Sequence, residues 1–170
     1  WVREFVGKYI EKAKMMREIK LKNYVYMMDA AEVIRATMLL NLLSAVLQEF
    51  HGETMDRPCY EKIFIYALSW AMGGLFEVED RVRFHKEILE KNGALALDQR
   101  QKQISEKETV FDYFVDPETK QWRIWSPEEW KPPKRIIFSQ LLIPTSDSTR
   151  AEYIMDRISK LPLERNTIRE

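Results

Sequence analysis

The chain has 170 residues, and its 27 Lys and Arg balance 27 Asp and Glu, so the formal net charge is zero. No global field draws it to nucleic acid or to an anionic membrane, and the interleaved charges suit solvated helix faces. The length allows one domain or two small subdomains with a real core, and the single cysteine, Cys59, excludes an internal disulfide and points to a reducing compartment. The longest apolar run, 63–70 continuing to Phe76, is too short to span a bilayer and is interrupted by Gly73-Gly74. The amphipathic, charged start is no signal peptide, and without an initiator Met the chain is expected to be an intracellular piece of something longer.

Residues 1–20 place Val2, Phe5, Val6, Tyr9, Ile10, Ala13 and Met16 at helical spacing, which predicts an amphipathic helix. A second helix is expected from Asp29, an N-cap with Glu32 three residues on, to the Gly stop at His51-Gly52. The third has Asp56 as N-cap and Pro58 in its first turn. Its body is apolar on nearly every face, as a central bundle helix is, and Cys59 at its start reads as a buried structural thiol. Gly73-Gly74 ends or kinks it, and a fourth helix over 79–91 completes a small bundle.

Residues 95–108 have mixed polarity and no period, and predict a mobile or insertion loop. An aromatic β-hairpin signal follows over 109–125, with Asp116-Pro-Glu-Thr-Lys120 as turn chemistry and Gln121-Trp-Arg-Ile-Trp125 as the return strand. Ser126-Pro-Glu-Glu129 can cap one helical turn, and Pro132-Pro133 is an extended spacer. Residues 136–138 and 141–143 are short strand candidates, and Asp147 or Ser148 can cap a helix running to about Lys160. The sequence carries no nucleophile–base pair and no metal-ligand cluster, and its closely spaced tryptophans read as hairpin packing, since Arg123 is the one cation between Trp122 and Trp125. His85 reads as a surface residue, and the methionines as core filling.

Three stretches in order resemble dynein heavy chains. Phe64-Ile-Tyr-Ala-Leu-Ser-Trp-Ala-Met-Gly-Gly-Leu75 with Asp80-Arg-Val-Arg-Phe84 looks like the lid of the second AAA+ module. Thr109-Val-Phe-Asp-Tyr113 through Trp122 and Trp125 is similar to the hairpin insert between the second and third modules. Ile143-Pro-Thr-Ser-Asp-Ser-Thr-Arg150 with Tyr153-Ile-Met155 resembles the segment leading into the third module. The Gln- and Lys-rich stretch before the hairpin leans toward axonemal chains.

The resemblance implies a mainly α fold with a small β-hairpin (α+β): a four-helix lid-type bundle over 1–93, a mobile linker over 94–108, a hairpin insert with a Pro-rich spacer over 109–134, and the strand–helix start of the third module over 135–170. It implies a parent chain that is an ATP-driven microtubule motor of the ciliary or flagellar axoneme, with a coiled coil elsewhere and ATP or ADP with Mg as cofactor. Its implied partners are the neighbouring AAA+ modules, with microtubules and intermediate and light chains meeting other parts of the parent chain, and no nucleic acid or membrane. Hydrolysis in this superfamily needs a Gly-rich loop ending in Lys-Ser/Thr; glycine stands only at 7, 52, 73, 74 and 93, and Gly7-Lys8 is followed by Tyr9. The isolated chain is therefore expected to hold no complete nucleotide site, no metal and no catalytic residue.

Two partial roles follow from the resemblance. Arg81, in the first turn of the fourth helix, would face the γ-phosphate of the second module, its planar donor fork suiting phosphate geometry, with Arg83 a weaker alternate; pairing with Glu77 or Asp80, or simple solvation, is the plainer reading. Leu142, Ile143, Pro144 and Thr145 would wrap the adenine of the third module, or form a β-edge on that module's core. Trp122, Trp125, Asp147 and Arg150 would couple the two modules structurally, with Asp147 and Arg150 three apart on one helical turn. The competing reading is a self-standing α-helical protein-interaction domain.

Overall fold

A helix apolar on every face needs neighbours on every side, and that requirement organises this chain. The computed structural model describes residues 32–50, 54–86, 108–126, 130 and 143–161. Among them are four helices, α1 (Glu32–Glu49), α2 (Arg57–Gly73), α3 (Val78–Phe84) and α4 (Ser146–Ser159), and one antiparallel hairpin, β1 (Tyr113–Val115) with β2 (Trp122–Ile124). The fold is mainly α with a small hairpin, as the sequence implies. The helix expected over 1–20, the loop over 95–107, the capped turn at 127–129 and the strand candidates up to Leu142 lie outside the described residues, as do Asp29, His51-Gly52 and the expected boundaries at 93–94 and 134–135.

The central helix is α2. Asp56 caps it, its carboxylate accepting the Cys59 amide at 3.0 Å, and Pro58 sits where the missing N–H is harmless. From Lys62 to Ala71 every residue is buried, Cys59 included. α1 lies along one flank through Leu42, Val46 and Phe50, and Phe76, Phe84, Val110 and Phe111 close the C-terminal end. Gly74 caps α2 at an ordinary φ of −60°. The glycines here serve close approach: a Cβ on Gly73 would stand 2.7 Å from the Phe111 ring, and one on Gly74 would stand 2.5 Å from the Trp70 carbonyl. Trp70 and Phe111 meet edge to face at 5.4 Å across that junction.

Three local expectations are corrected. The stretch before β1 is one 3₁₀ turn, Val110–Asp112, where a strand is expected; the Asp112 carboxylate accepts both the amide (2.7 Å) and the hydroxyl (2.9 Å) of Thr109 and closes the turn. The cap of α4 is Thr145, earlier than Asp147 or Ser148, because its hydroxyl takes the Ser148 amide at 3.1 Å while the Ser148 hydroxyl answers the Thr145 amide at 2.8 Å. His85 is buried where a surface residue is expected: its Nδ1 accepts the Val110 amide at 3.0 Å and ties the end of α3 to the 3₁₀ turn.

The hairpin pairs Tyr113 with Ile124, Phe114 with Arg123 and Val115 with Trp122, burying Tyr113, Val115 and Trp122. Asp116 organises its turn by accepting the Glu118 amide and the Thr119 hydroxyl. Lys120 takes a left-handed φ of 57°, a conformation that costs about 1 kcal/mol in a non-glycine residue. Reciprocal lysines hold it there. Buried Lys62 donates to the Lys120 carbonyl (3.1 Å) and to Gln121 Oε1 (2.6 Å), and Lys120 Nζ reaches back to the Thr54 carbonyl at 3.1 Å.

Gly73→Ala is expected to destabilise the chain by about 1–3 kcal/mol, because the new methyl must displace a packed ring. Urea unfolding reads this directly, and an unshifted midpoint would mean that Phe111 yields freely. A second expectation concerns alkali. Burial pushes the Tyr66 phenol well above its usual value, with the Arg150 charge opposing in part, and burial does the same to Tyr153. The fold thus favours neutral phenols, a stabilisation fully present below the unfolded-state pKa of about 10 and lost as pH rises from there toward the raised folded values. Absorbance at 295 nm should show these two tyrosines ionising only as the fold melts; smooth titration near pH 10 with the fold intact would contradict their burial.

Candidate functional site

Four elements converge on one polar cluster: the α2–α3 turn, the start of α3, the 3₁₀ turn and the N-terminus of α4. Arg81 enters from α3 with its side chain only 12% exposed. Its Nη2 donates to the Gly74 carbonyl at 2.8 Å, and its Nη1 stands 3.6 Å from Asp147 Oδ1. The guanidinium lies over Trp70 and Phe111, 5.7 and 5.5 Å from their ring centroids. Desolvation pulls the Arg81 pKa below the usual arginine range, with Asp147 the chief opposing charge, and arginine stays charged through such shifts. Glu77 and Asp80, the neighbours a sequence would pair it with, are not its partners; Asp80 pairs with Arg83 at 3.2 Å.

Arg150 enters from α4, 11% exposed. Its Nη2 donates to Asp112 Oδ1 at 2.6 Å and its Nη1 to Asp147 Oδ1 at 3.2 Å. Asp112 therefore does three jobs: one oxygen closes the 3₁₀ turn, the other holds Arg150, and its carbonyl accepts the Trp125 amide at 2.9 Å, tying off the far end of the hairpin. Asp147 bridges the two arginines through one oxygen while remaining 70% exposed. The Nε–H groups of Arg81 and Arg150 are buried with no hydrogen-bond partner.

A second contact holds the middle of α4. Tyr153 donates to Glu49 at the end of α1 (2.8 Å), Arg157 pairs with the same carboxylate, and the Arg157 guanidinium covers the Tyr153 ring at 4.6 Å. Tyr153 also meets Trp125 edge to face at 4.9 Å, and Trp125 packs on Phe114 at 4.4 Å. Ile154 is buried in the common core. Trp122 and Trp125 thus divide the labour: Trp122 sits in the core beneath the hairpin, and Trp125 faces α4.

The structure brings Arg81, Asp147 and Arg150 together, with Trp125 nearby, and sets the adenine candidates apart from them in burial. Leu142 lies outside the described residues, Ile143 is 52% exposed, Pro144 is half-buried and the Thr145 hydroxyl is spent on the cap. The sequence reading missed Asp112, Glu49 and Tyr153, which carry the charges and the phenol that hold α4. Thr109-x-x-Asp112 carries the spacing of a capping box and was the one available signal. Among the described residues no group of three His, Cys, Asp or Glu is placed to hold a metal ion, and no helix is long and apolar enough to cross a membrane. What the cluster offers chemically is two largely buried guanidinium groups and one exposed carboxylate between them.

Residues 2–127 match the family described as the dynein heavy chain AAA lid domain. The chain is 30% identical over 155 residues to the dynein gamma chain of the flagellar outer arm of Chlamydomonas reinhardtii, covering 88% of this chain and 3% of that protein. It is 27% identical over 159 residues to mouse dynein axonemal heavy chain 5, and 26% identical over 161 residues to human dynein axonemal heavy chain 2, covering 89% and 90% of this chain and 3% of each relative. The chain therefore spans only a few hundredths of the length of the curated relatives it matches. The matched region takes in α1, α2, α3 and the hairpin and stops short of α4. With more than half its length inside that match, this chain belongs to the dynein heavy chain AAA lid family.

Proposed function

We propose that the chain serves an axonemal dynein heavy chain as the lid of the second AAA+ module joined to the leading segment of the third, and that it transmits nucleotide-dependent lid movement between them. The parent chain is then an ATP-driven microtubule motor of the cilium or flagellum, its ATP or ADP with Mg held mainly by residues outside this segment. The observation that carries the reading is the docking of α4, which lies outside the family match yet is held to the lid at two separated points. A helix pinned by Arg150 to the 3₁₀ turn and by Tyr153 and Arg157 to α1 follows the lid as one body, and rigid-body shifts are a common currency of motor rings. The named relatives are flagellar and axonemal chains, which supports the axonemal assignment.

Within that role Arg81 is the nucleotide-sensing candidate of the lid, and Leu142, Ile143, Pro144 and Thr145 remain the adenine-facing candidates of the next module. What fits a nucleotide among the described residues is its phosphate end alone, since guanidinium donors are present and a Lys-Ser/Thr loop is absent from the whole sequence. Trp122, Trp125, Asp147 and Arg150 act as coupling residues.

Two substitutions test the coupling. Arg150→Gln leaves Asp112 without its charged partner and should loosen α4 by about 1.5–3 kcal/mol, the worth of a charge-assisted hydrogen bond away from water. Trp122→Ala should cost about 3–5 kcal/mol of packing beneath the hairpin. In the full-length motor the Trp122→Ala variant should bind nucleotide almost normally, and both variants should glide microtubules slowly and release them poorly. Normal gliding by a motor whose α4 or hairpin is shown to be loosened would reduce this junction to a spacer.

A further inference from the structure

The 3₁₀ turn is held at its first residue by a side chain that accepts a hydrogen bond in only one of its protonation states. The opening N–H groups of a helical turn have no partner within the turn itself. At Val110 the partner is His85 Nδ1, 3.0 Å away, supplied by the residue that caps the end of α3. Both residues are buried, Val110 to 1% exposure and His85 to 6%. A ring nitrogen accepts only while it carries no proton, so this bond fixes a neutral imidazole with its hydrogen on Nε2. A proton added at Nδ1 turns the acceptor into a donor that faces another donor. The bond cannot survive that change.

The surroundings give an added positive charge little support. Phe84 and Phe111 pack together across the junction of α3 and the turn, their ring centroids 6.1 Å apart. On α3 the charged groups are Glu79, Asp80, Arg81 and Arg83. Glu79 is exposed, Asp80 pairs with Arg83 at 3.2 Å, and Arg81, one helical turn before His85, is a like charge. Around the 3₁₀ turn, Glu108 accepts the Tyr113 phenol at 2.5 Å, and Asp112 serves Thr109 and Arg150. α2 carries no charged side chain after Lys62.

We propose that His85 is a proton-sensitive latch between α3 and the 3₁₀ turn, closed while the imidazole is neutral and released when Nδ1 is protonated. The folded chain favours the neutral ring, whereas an open or unfolded chain titrates near the ordinary value of about 6.5. The latch therefore contributes fully above about pH 6.5 and is lost as pH falls below it toward the lower folded-state value. Burial of Val110 and Phe111 in the apolar core also holds the turn, so release loosens it without unfolding the chain. The turn carries Asp112, and Asp112 holds Arg150, so the same proton loosens one of the two attachments of α4. What this means for the motor rests on the coupling reading; the latch itself does not.

The test uses the 170-residue chain between about pH 7.5 and 5.5, above the ordinary carboxylate range of about 4. Hydrogen exchange at the Val110 amide reads the latch once the intrinsic pH dependence of exchange is divided out. Its protection should fall about tenfold over that interval, the effect of one proton bound by the open form alone. His85→Gln keeps a carbonyl acceptor that does not titrate, so its Val110 protection should stay level. His51→Gln, which removes the one other histidine, should behave like the parent chain. If His85→Gln folds poorly, the ring nitrogens of the parent chain decide, since their NMR shifts should show the Nε2–H imidazole persisting well below about pH 6.5. Level protection in the parent chain, a fall that survives His85→Gln, or a His85 ring fully protonated at about pH 6 overturns the proposal. Each of these failures leaves the coupling reading standing, because the gliding test depends on Arg150–Asp112 and on Trp122.

Discussion

The described elements of this chain are positioned by the burial of one helix. From Lys62 to Ala71 α2 has no face left for water, so α1, the hairpin and the α2–α3 turn must each cover part of it. Burying a large apolar side chain contributes roughly 1.5–3 kcal/mol. Ile63, Tyr66 and Trp70 share one face of the helix at i, i+3 and i+7, whereas Ile65 lies on the opposite side and Phe64 and Leu68 form a separate cluster, so no single partner can satisfy it. The cover has to be assembled from separate parts of the chain. This explains how a hairpin of two three-residue strands, too short to be stable alone, keeps its shape: Val115 and Trp122 are pressed into the same core, and Lys62 grips its turn.

The crowding at the end of α2 decides where the chain goes next. Gly73 lets the Phe111 ring reach the helix backbone, and Phe111 brings with it the 3₁₀ turn and Asp112. Asp112 then sets the height at which Arg150, and so α4, can dock. A steric fact at one glycine thus becomes an electrostatic fact two elements away.

The polar cluster contributes differently from the core. Surface ion pairs are worth about 0–1 kcal/mol, so Asp147 adds little to stability, whereas removing one partner of the well-shielded Arg150–Asp112 pair would leave a costly charge. Within one cluster there is therefore a firm contact that fixes α4 and a soft one that water screens. Arg81 stands between them, anchored by a carbonyl and two rings and touching the soft contact only at its outer edge.

Local rules determined a good deal of this from sequence alone. The Asp56 cap, the all-round apolar character of 63–72, the hairpin and its Asp116–Lys120 turn all follow from short-range chemistry, and each is present. The ordered motifs also pointed to the lid family, and the i, i+3 spacing placed Asp147 beside Arg150. Tertiary structure alone decided the rest. Arg81 has two acidic neighbours in sequence, yet its partners are Gly74 and Asp147, the latter 66 positions away in the numbering and supplied by another helix. His85 looked like a surface residue because its polarity is visible in the sequence while its acceptor role toward the Val110 amide is not. The partners of Glu49 are equally invisible in the sequence. Periodicity and capping are encoded within a turn or two of chain, whereas the partner of a long charged side chain is chosen by whatever the packing of α2 brings within about 3 Å of its end.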